Sequence, residues 1–324
     1  MTPTLAPLRG PTVVPRGGGG PALLAVAHGS RDPRSAATMA AVVAEIAAAR
    51  PDRTVRLAFL DLSTPSVDQV VDNLATQGHR DVIVVPLLLG NAFHARVDLP
   101  ALLAEAARRH PRLRFTQADV LGPDPLLIAA LSDRVTAVSR HPVTASVDRA
   151  QSPAAPASRG FSAPATAQPA QLAPASAHPA PTSAPPSPAG APQASPPAPL
   201  SSGTRFPTGL GIAVAAVGSR DQAANARTAA VAERLAAMTG LPTEICFATA
   251  EPGVELAAVR LRARGAERIV VAPWFLAPGL LTDRLLAAAP DLVHAEVIGS
   301  HPALTEVVWA RYDSVIAAEL ELSA

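Results

Sequence analysis

The sequence lacks lysine altogether, has one cysteine and contains only 3% aromatic residues. All 27 basic residues are arginines, and they nearly balance 26 acidic residues. The resulting net charge of +1 argues against a nucleic-acid partner held by bulk electrostatics. The single Cys246 cannot form an internal disulfide, which is typical of a reducing compartment, and its strand-like surroundings predict a buried position. Hydrophobic residues still make up 48% of the chain, so a sizeable core is available.

Segments that would target the chain to a membrane are also missing. Residues 1–20 carry prolines and glycines where a secretory signal needs an apolar stretch, and no apolar run is long enough to cross a bilayer. We therefore expect a cytoplasmic protein with no membrane partner, and we predict that residues 1–20 form a disordered leader.

Short apolar strands alternate with amphipathic helices in residues 21–140. Runs such as "PALLAVA" and "DVIVVPLLL" predict buried strands. Gly78 predicts the end of a helix, and Asp98 followed by Pro100 predicts the N-cap and first turn of another. This alternation predicts an α/β fold with a parallel sheet covered on both faces. Apolar residues at helical spacing follow the first strand: Met39, Val42, Val43 and Ile46.

Residues 141–207 lose this pattern. From about Ser152 to Gly203 the chain is mostly proline, alanine and serine, which cannot bury enough surface to offset the entropy of ordering. We predict an extended, disordered linker, with recognition by a proline-binding module as an alternative.

The first half of the chain is repeated after the linker. "GIAVAAVGSRD" echoes "LLAVAHGSRD", and "AEVIGSHPAL" echoes "ADVLGPDPLL". The sequence therefore predicts an internal duplication, with a second lobe over residues 208–324.

Three polar residues follow consecutive strands of the first half: His28, Asp61 and His94. Ligands of an open parallel sheet bind beyond the carboxyl ends of its strands, where these residues would meet. Imidazole and carboxylate groups bind divalent cations such as cobalt or iron(II), and they accept protons near neutral pH. Each residue alone fits a cap, a packing residue or a surface residue, but their convergence on one edge favours a function.

The second half provides an internal control. Val217, Thr249 and Leu281 stand opposite His28, Asp61 and His94, so the scaffold is copied without its imidazole and carboxylate groups. Caps needed for folding would survive a duplication as readily as the scaffold, so this loss also favours a function. We interpret the remaining histidines as structural, at helix ends, in the linker or in second-half loops; His301 takes the position of Asp124 and is predicted to cap a helix. They are His79, His110, His141, His178, His294 and His301.

The first half resembles the class II chelatases of the CbiX and SirB type, which insert cobalt or iron into sirohydrochlorin. The resemblance rests on "HGSRDP", "AFLDLSTPS" and "VPLLLGNAFHARVDLP". It implies two flavodoxin-like lobes, a tetrapyrrole cleft between them, and a single chain acting as a monomeric pseudo-dimer. His28 and His94 match the family's metal-binding and catalytic histidines. Asp61 stands where the family commonly has a glutamate, so it keeps the charge of that residue but has a shorter reach.

The substrate implied by the resemblance carries many carboxylates, so the rim of its cleft needs cations. Arg31, Arg34 and Arg96 flank the two histidines, and arginine pairs with carboxylates bidentately, although solvated surface arginines are an equal alternative. Gly29 and Ser30 are predicted to form a tight turn that offers backbone donors to the substrate. The divalent metal would be a substrate, and no tightly bound cofactor is expected.

Two other functions remain open at this point. A non-catalytic carrier of metal or tetrapyrrole could use the same three residues. A phosphate-handling hydrolase is suggested by "HGSRD" at a strand–helix turn, but the sequence has neither a glycine-rich phosphate loop nor a serine nucleophile elbow. The choice between cobalt and iron stays open because this ligand set suits both.

Overall fold

Strands and helices alternate in both halves of the chain, as predicted. The computed structural model describes residues 20–90, 97–140 and 206–322. The first half contains β1 (Ala22–Ala27), α1 (Pro33–Ala49), β2 (Val55–Phe59), α2 (Val67–Thr76), β3 (Asp81–Pro86), α3 (Leu99–Arg109), β4 (Arg114–Gln117) and α4 (Pro125–Ser139).

The second half repeats the same order of elements. It contains β5 (Leu210–Ala216), α5 (Gln222–Thr239), β6 (Thr243–Phe247), α6 (Val254–Ala263), β7 (Arg268–Pro273), α7 (Leu280–Ala288), β8 (Val293–His294) and α8 (Pro302–Leu322).

Each half has one four-stranded parallel sheet. The strand orders are β2-β1-β3-β4 and β6-β5-β7-β8, so the two halves have the same topology. Both faces of the first sheet are covered: Leu23 and Ala25 point into one core layer, and Leu24 and Val26 into the other. This burial on both faces explains why β1 is a continuous apolar run. The predicted α/β class and the duplication are confirmed.

The two halves share one core. One face of each sheet is covered by its own helices, α2 and α3 in the first half and α6 and α7 in the second. The other faces border a common layer in which α4 contacts α5 and β7, whereas α8 contacts α1 and β3. The last helix of each half therefore covers the sheet of the other half.

Polar contacts in this common layer connect α8 to the first half. The Trp309 indole N–H donates to the carbonyl of Ile46 at 3.1 Å, and the Tyr312 hydroxyl donates to the carbonyl of Pro21 at 2.5 Å. The Arg50 guanidinium lies 4.3 Å from the centre of the Trp309 ring, a favourable cation–π geometry. Buried aromatic N–H and O–H groups require such partners, so these bonds fix where α8 lies.

The predicted leader and linker fall almost entirely outside the described residues. Within the range predicted as linker, Phe206 is described and packs against the shared core. No helix within the three described ranges combines the length and the hydropathy of a membrane span.

Two predicted helix boundaries, at Gly78 and at Asp98, lie where the sequence places them. Gly78 has φ +82° and its N–H donates to the carbonyl of Ala75, which confirms the predicted end of α2. Asp98 and Pro100 take the predicted N-cap and first-turn positions of α3, but the N-cap lacks its usual side-chain bond. Asp98 already has helical angles, φ −69° and ψ −49°, and its side chain makes no capping hydrogen bond. An N-cap residue needs an extended backbone for its side chain to reach the next N–H groups.

The predicted cap at His301 is confirmed. Its Nδ1 accepts a hydrogen bond from the N–H of Ala303 at 3.2 Å, as Asp124 accepts from the N–H of Leu126 at 3.0 Å. The proton of His301 therefore lies on Nε2, which is 3.4 Å from a carboxylate oxygen of Asp133. The repeat thus preserves the capping position with a different side chain.

Candidate functional site

The carboxyl ends of three neighbouring strands form the predicted edge of the first sheet. β1 lies between β2 and β3 and pairs with both in parallel. The N–H of Asp61 donates to the carbonyl of His28 at 3.0 Å, so these two residues are direct neighbours across the strand ends. His94, the predicted third member, lies outside the described residues. The predicted adjacency of His28 and Asp61 is therefore a feature of the structure, whereas their chemical roles remain a prediction.

Gly29 permits the close approach of the two loops. Its φ is +94°, and a Cβ atom there would lie 1.7 Å from the carbonyl oxygen of Asp61. Only a residue without a side chain fits this backbone conformation and this distance. The predicted tight turn is present, and its function is to bring the loop of His28 against the loop of Asp61.

Ser30 locks the same two loops together. Its N–H donates to Oγ of Ser63 at 3.0 Å, and the Ser63 hydroxyl donates back to the carbonyl of Ser30 at 2.9 Å. Its own Oγ accepts the N–H of Asp32 at 3.0 Å. Because these groups of Ser30 are engaged within the protein, the predicted donation of its N–H to a substrate would first have to break the bond to Ser63.

The side chain of Asp61 has both a structural and a potential ligand function. Its Oδ1 accepts the N–H of Leu62 at 2.7 Å, as expected of a residue that stabilises the turn after β2. Its Oδ2 makes no hydrogen bond or ion pair to any described residue, and the residue is exposed. Asp61 can therefore hold the turn with one oxygen and present the other to a ligand.

His28, the backbone neighbour of Asp61, is partly buried. Its Nδ1 lies 3.2 Å from the carbonyl oxygen of Gly29. When the proton is on Nδ1, it points to that carbonyl, and the lone pair is then on Nε2. This tautomer has the form of imidazole that binds a metal or accepts a proton.

The predicted substrate-binding arginines have different surroundings. Arg31 is exposed and makes no hydrogen bond or ion pair to a described residue, and Arg96 lies outside the described residues. Arg34 is already paired: its Nη2 lies 2.5 Å from Oδ2 of Asp32 and 2.5 Å from Oδ2 of Asp283 in α7. Its guanidinium thus connects the loop of His28 to the second half, and a role in substrate binding would compete with these pairs.

Asp32 is a residue of this edge that the sequence interpretation did not single out. It is 8% exposed, and its Oδ1 accepts the N–H of Arg34 at 2.9 Å as the N-cap of α1. Hydrogen bonds from Arg34 hold the pKa of the Asp32 carboxyl below its usual range. Gly279 of the second half approaches closely, since a Cβ there would lie 3.9 Å from Oγ of Ser30. An aspartate before a proline is a sequence signal for a helix N-cap. No such signal indicates that Arg34, the partner of Asp32, also binds the second half.

The equivalent edge of the second half has the same backbone without the same chemistry. The N–H of Thr249 donates to the carbonyl of Val217 at 3.0 Å, matching the bond between Asp61 and His28. The Thr249 hydroxyl turns back to the same carbonyl at 2.7 Å, and Val217 presents an apolar side chain. The predicted pairing of these positions in the repeat is thus supported by identical hydrogen bonds.

No complete metal cluster is present in the part of the chain that the structure describes. Residues 20–90, 97–140 and 206–322 contain no group of three His, Cys, Asp or Glu side chains placed to hold an ion. A cavity of about 840 Å³ lies along α3 and β4, lined by residues from Pro100 to Val120, and it includes neither His28 nor Asp61.

Comparison with protein families gives a match in both halves of the chain. The family model of CbiX matches residues 22–138 and 211–315, which together make up well over half of the chain. Sirohydrochlorin ferrochelatase of Bacillus subtilis (strain 168) is 31% identical over 114 residues, covering 35% of this chain and 44% of its own. Sirohydrochlorin cobaltochelatase of Priestia megaterium is 30% identical over 110 residues, covering 31% of this chain and 32% of its own. The chain thus spans less than half the length of these relatives.

Solved structures share the fold across both halves. SirB from Bacillus subtilis with Fe3+ superimposes with a TM-score of 0.60 at 19% identity, covering 90% of this chain and 94% of that one. A structure of CbiX described as the terminal enzyme for biosynthesis of siroheme in denitrifying bacteria has a TM-score of 0.52 at 19% identity, covering 90% and 98%. The predicted two-lobed chelatase-like fold is confirmed, and the chain belongs to the CbiX family.

Proposed function

We propose that this protein is a sirohydrochlorin chelatase that inserts a divalent metal, Co2+ or Fe2+, into the sirohydrochlorin macrocycle during cobalamin or siroheme biosynthesis. The observation that carries the proposal is the adjacency of His28 and Asp61 at the carboxyl edge of the first sheet, in a member of the CbiX family. The loss of both groups from the edge of the second half, which keeps the same backbone hydrogen bond, supports a single active site. The metal is a substrate of this reaction, not a resident cofactor.

The chemistry of metal insertion requires the groups that this edge supplies. Two pyrrole N–H protons must leave the macrocycle while a divalent ion loses water and enters the ring. An imidazole whose lone pair is on Nε2, as in the tautomer described for His28, can hold the ion or accept one of the protons. The carboxylate of Asp61 is proposed as a further ligand of the ion, and His94 is proposed to complete the set.

The second half contributes to this site without ligating the metal. Val217 and Thr249 offer it no imidazole or carboxylate, while α8 and α4 build a core common to both halves. We propose that the single chain works as a monomeric pseudo-dimer, with Gly29, Ser30, Arg31, Arg34 and Arg96 at the substrate side of the active edge.

An anaerobic metallation assay with sirohydrochlorin tests the proposal. Loss of a general base typically lowers a rate by about a hundredfold to ten-thousandfold, so we expect losses in this range for His28→Ala and His94→Ala. Asp61→Ala should lose less, and Asp61→Glu should remain active. His110→Ala is the matched control, because this histidine pairs with Asp72 at 2.7 Å at the end of α3.

The alternative functions give different results in the same experiments. A carrier would bind cobalt or the macrocycle through His28 without accelerating metallation. A phosphate-handling hydrolase would release phosphate in a phosphatase screen, in which we expect no activity. Near wild-type metallation by His28→Ala would contradict the proposed role of this edge. Initial rates with each metal determine which ion the enzyme prefers.

A further inference from the structure

The turn after the first strand of each half is duplicated in detail. Gly29 and Gly218 have φ values of +94° and +90°. Oγ of Ser30 accepts the N–H of Asp32 at 3.0 Å, and Oγ of Ser219 accepts the N–H of Asp221 at 3.1 Å. Each aspartate then caps the helix that follows, accepting an N–H at 2.9 Å in both halves. The shape of the turn therefore accounts for three of its four residues: glycine, serine and aspartate.

The remaining residue of each turn, between the serine and the aspartate, is an arginine that the shape of the turn does not require. Arg31 and Arg220 are both exposed, and neither makes a hydrogen bond or an ion pair to any residue that the structure describes. Since only about one residue in twelve of this chain is an arginine, coincidence is a weak explanation for the match. A side chain kept at both positions without a partner in the described part of the fold is expected to bind a group outside it.

Neighbouring positions show that the duplication did not keep residues indiscriminately. The metal-site candidate His28 became Val217, and Arg34 is matched by Ala223. Arg34 has a structural explanation in the first half, since it binds Asp32 and Asp283 there. The arginine with a partner in the fold was thus not repeated, whereas the one without such a partner was.

Both turns lie at carboxyl edges of sheets that approach each other. β5, which leads into Arg220, pairs with β7 in parallel. The loop after β7 reaches Gly279, which lies against Ser30 and Asp32 beside Arg31. The loop after β7 therefore borders the active edge of the first half. The turn that contains Arg220 follows β5, the strand next to β7 in the second sheet.

We propose that Arg220 is a second carboxylate-binding residue for the substrate, contributed by the half that has lost the metal ligands. This inference rests on the proposed function. A macrocycle with carboxylates around its rim would be bound by Arg31 from one half and by Arg220 from the other. Arginine forms bidentate, charge-assisted hydrogen bonds with carboxylates, which suits a role in binding without a role in metal transfer. The second half thus determines affinity, and the first half performs the chemistry.

Equilibrium binding of metal-free sirohydrochlorin to the full chain, followed by its absorbance, tests the proposal. Loss of a charge-assisted hydrogen bond should raise Kd about tenfold or more for Arg220→Ala, with a comparable rise for Arg31→Ala. Arg220→Lys should lie between wild type and Arg220→Ala, because it keeps the charge but not the bidentate geometry. Arg262→Ala is the matched control, an exposed arginine in the last turn of α6, away from the carboxyl edge. In the metallation assay, Arg220→Ala should raise KM while leaving kcat within about twofold.

A second binding experiment uses the fully methyl-esterified macrocycle to test whether Arg220 recognises the carboxylates. The ester has no carboxylates, so wild type and Arg220→Ala should bind it with the same Kd. An unchanged Kd of Arg220→Ala for sirohydrochlorin would overturn the inference while leaving the proposed function in place, and so would an equal loss with the ester. If wild type itself neither binds nor metallates sirohydrochlorin, the proposed function fails and the inference fails with it.

Discussion

Arg134 and Arg311 make the same contact in opposite directions. Nη2 of Arg134 in α4 donates to the carbonyl of Ile298 at 2.7 Å, and Nη2 of Arg311 in α8 donates to the carbonyl of Leu121 at 3.2 Å. Leu121 and Ile298 are themselves equivalent, because the N–H of each donates to the loop that follows the third strand of its half. The two halves thus make reciprocal contacts, as the subunits of a symmetric dimer do at a self-complementary interface.

This interface predicts that the halves stay together when the chain between them is cut. A specific protease site inserted between residues 152 and 203 should yield two fragments that co-elute in size-exclusion chromatography and separate only in denaturant. The reason is the shared core, in which α4 and α8 each cover the other half's sheet. Fragments that separate under native conditions would show that each half closes its own core.

Substitution of Arg134 and Arg311 tests how strongly the two cut halves bind each other. Each Ala substitution removes a charged donor from a backbone carbonyl, at a cost of about 1.5–3 kcal/mol. Because the two contacts are separate, the effects of Arg134→Ala and Arg311→Ala on the affinity between the cut halves should add. Arg262→Ala, in α6 on the outer face of the second sheet, should leave the affinity unchanged.

Three glycines with left-handed φ values predict a graded series of stabilities. Gly78 has open space around its Cβ position, so Gly78→Ala should cost about 1 kcal/mol from the backbone alone. Gly218→Ala should cost more, because its added carbon meets side-chain atoms at 3.0 Å. Gly29→Ala should cost roughly 3 kcal/mol or more, because the carbonyl oxygen of Asp61 lies 1.7 Å away and the whole turn must move. Urea unfolding measures the order, and equal losses at all three positions would contradict it.

Much of the fold could be predicted from the sequence because local patterns determine it. Met39 and Ile46 are buried as their helical spacing predicts, and Gly78 ends its helix. The common core could not be predicted in the same way. An apolar helix face such as that of α8 shows that it is buried, but not which sheet covers it. Asp98 takes the predicted N-cap position without a capping bond, because the rule assumes an extended backbone before the helix and the chain there is already helical.

In the candidate site, too, the features set by local sequence could be predicted and those set by distant residues could not. The adjacency of His28 and Asp61 follows from a topological rule about strand ends, so their spacing in the sequence was sufficient to predict it. The partner of Arg34 was not predictable, since Asp283 lies 249 residues further along the chain and no local pattern connects them. The sequence predicted that the N–H of Ser30 could bind a substrate. It could not show that Ser63, in a different loop, accepts this N–H.

The reactivity of Cys246 should report on unfolding of the second half. The residue is fully buried in β6 beside β5, and burial raises the pKa of its thiol to about 12. The thiolate is the reactive form, so a thiol reagent at pH 8 should leave the native protein unlabelled and react once the protein unfolds. As the sole cysteine, it reports on one position. Labelling of the native protein at the rate of a small free thiol would contradict this burial.

Asp32 predicts how stability responds to acid. Its pKa is held below the usual range in the folded protein by Arg34, so the folded state binds fewer protons than the unfolded state as the carboxyl titrates. The stabilisation is therefore fully present above the unfolded pKa of about 3.9 and is lost as the pH falls through the folded pKa. Asp32→Asn keeps a side chain that can cap α1 but removes the charge, so it should destabilise the protein at pH 7. Thermal unfolding from pH 7 to pH 3 should show the difference from wild type shrinking below about pH 4.

The repeat supplies a matched control for this change. Asp221 caps α5 as Asp32 caps α1, but its side chain is 55% exposed and its arginine partner, Arg227, is 3.6 Å away. Exposed pairs of this kind contribute little to stability, so Asp221→Asn should change the unfolding midpoint less than Asp32→Asn at pH 7. Equal effects of the two substitutions, or an Asp32→Asn effect that stays constant down to pH 3, would show that the two aspartates act only as helix caps and that the ion pair to Arg34 adds no stability.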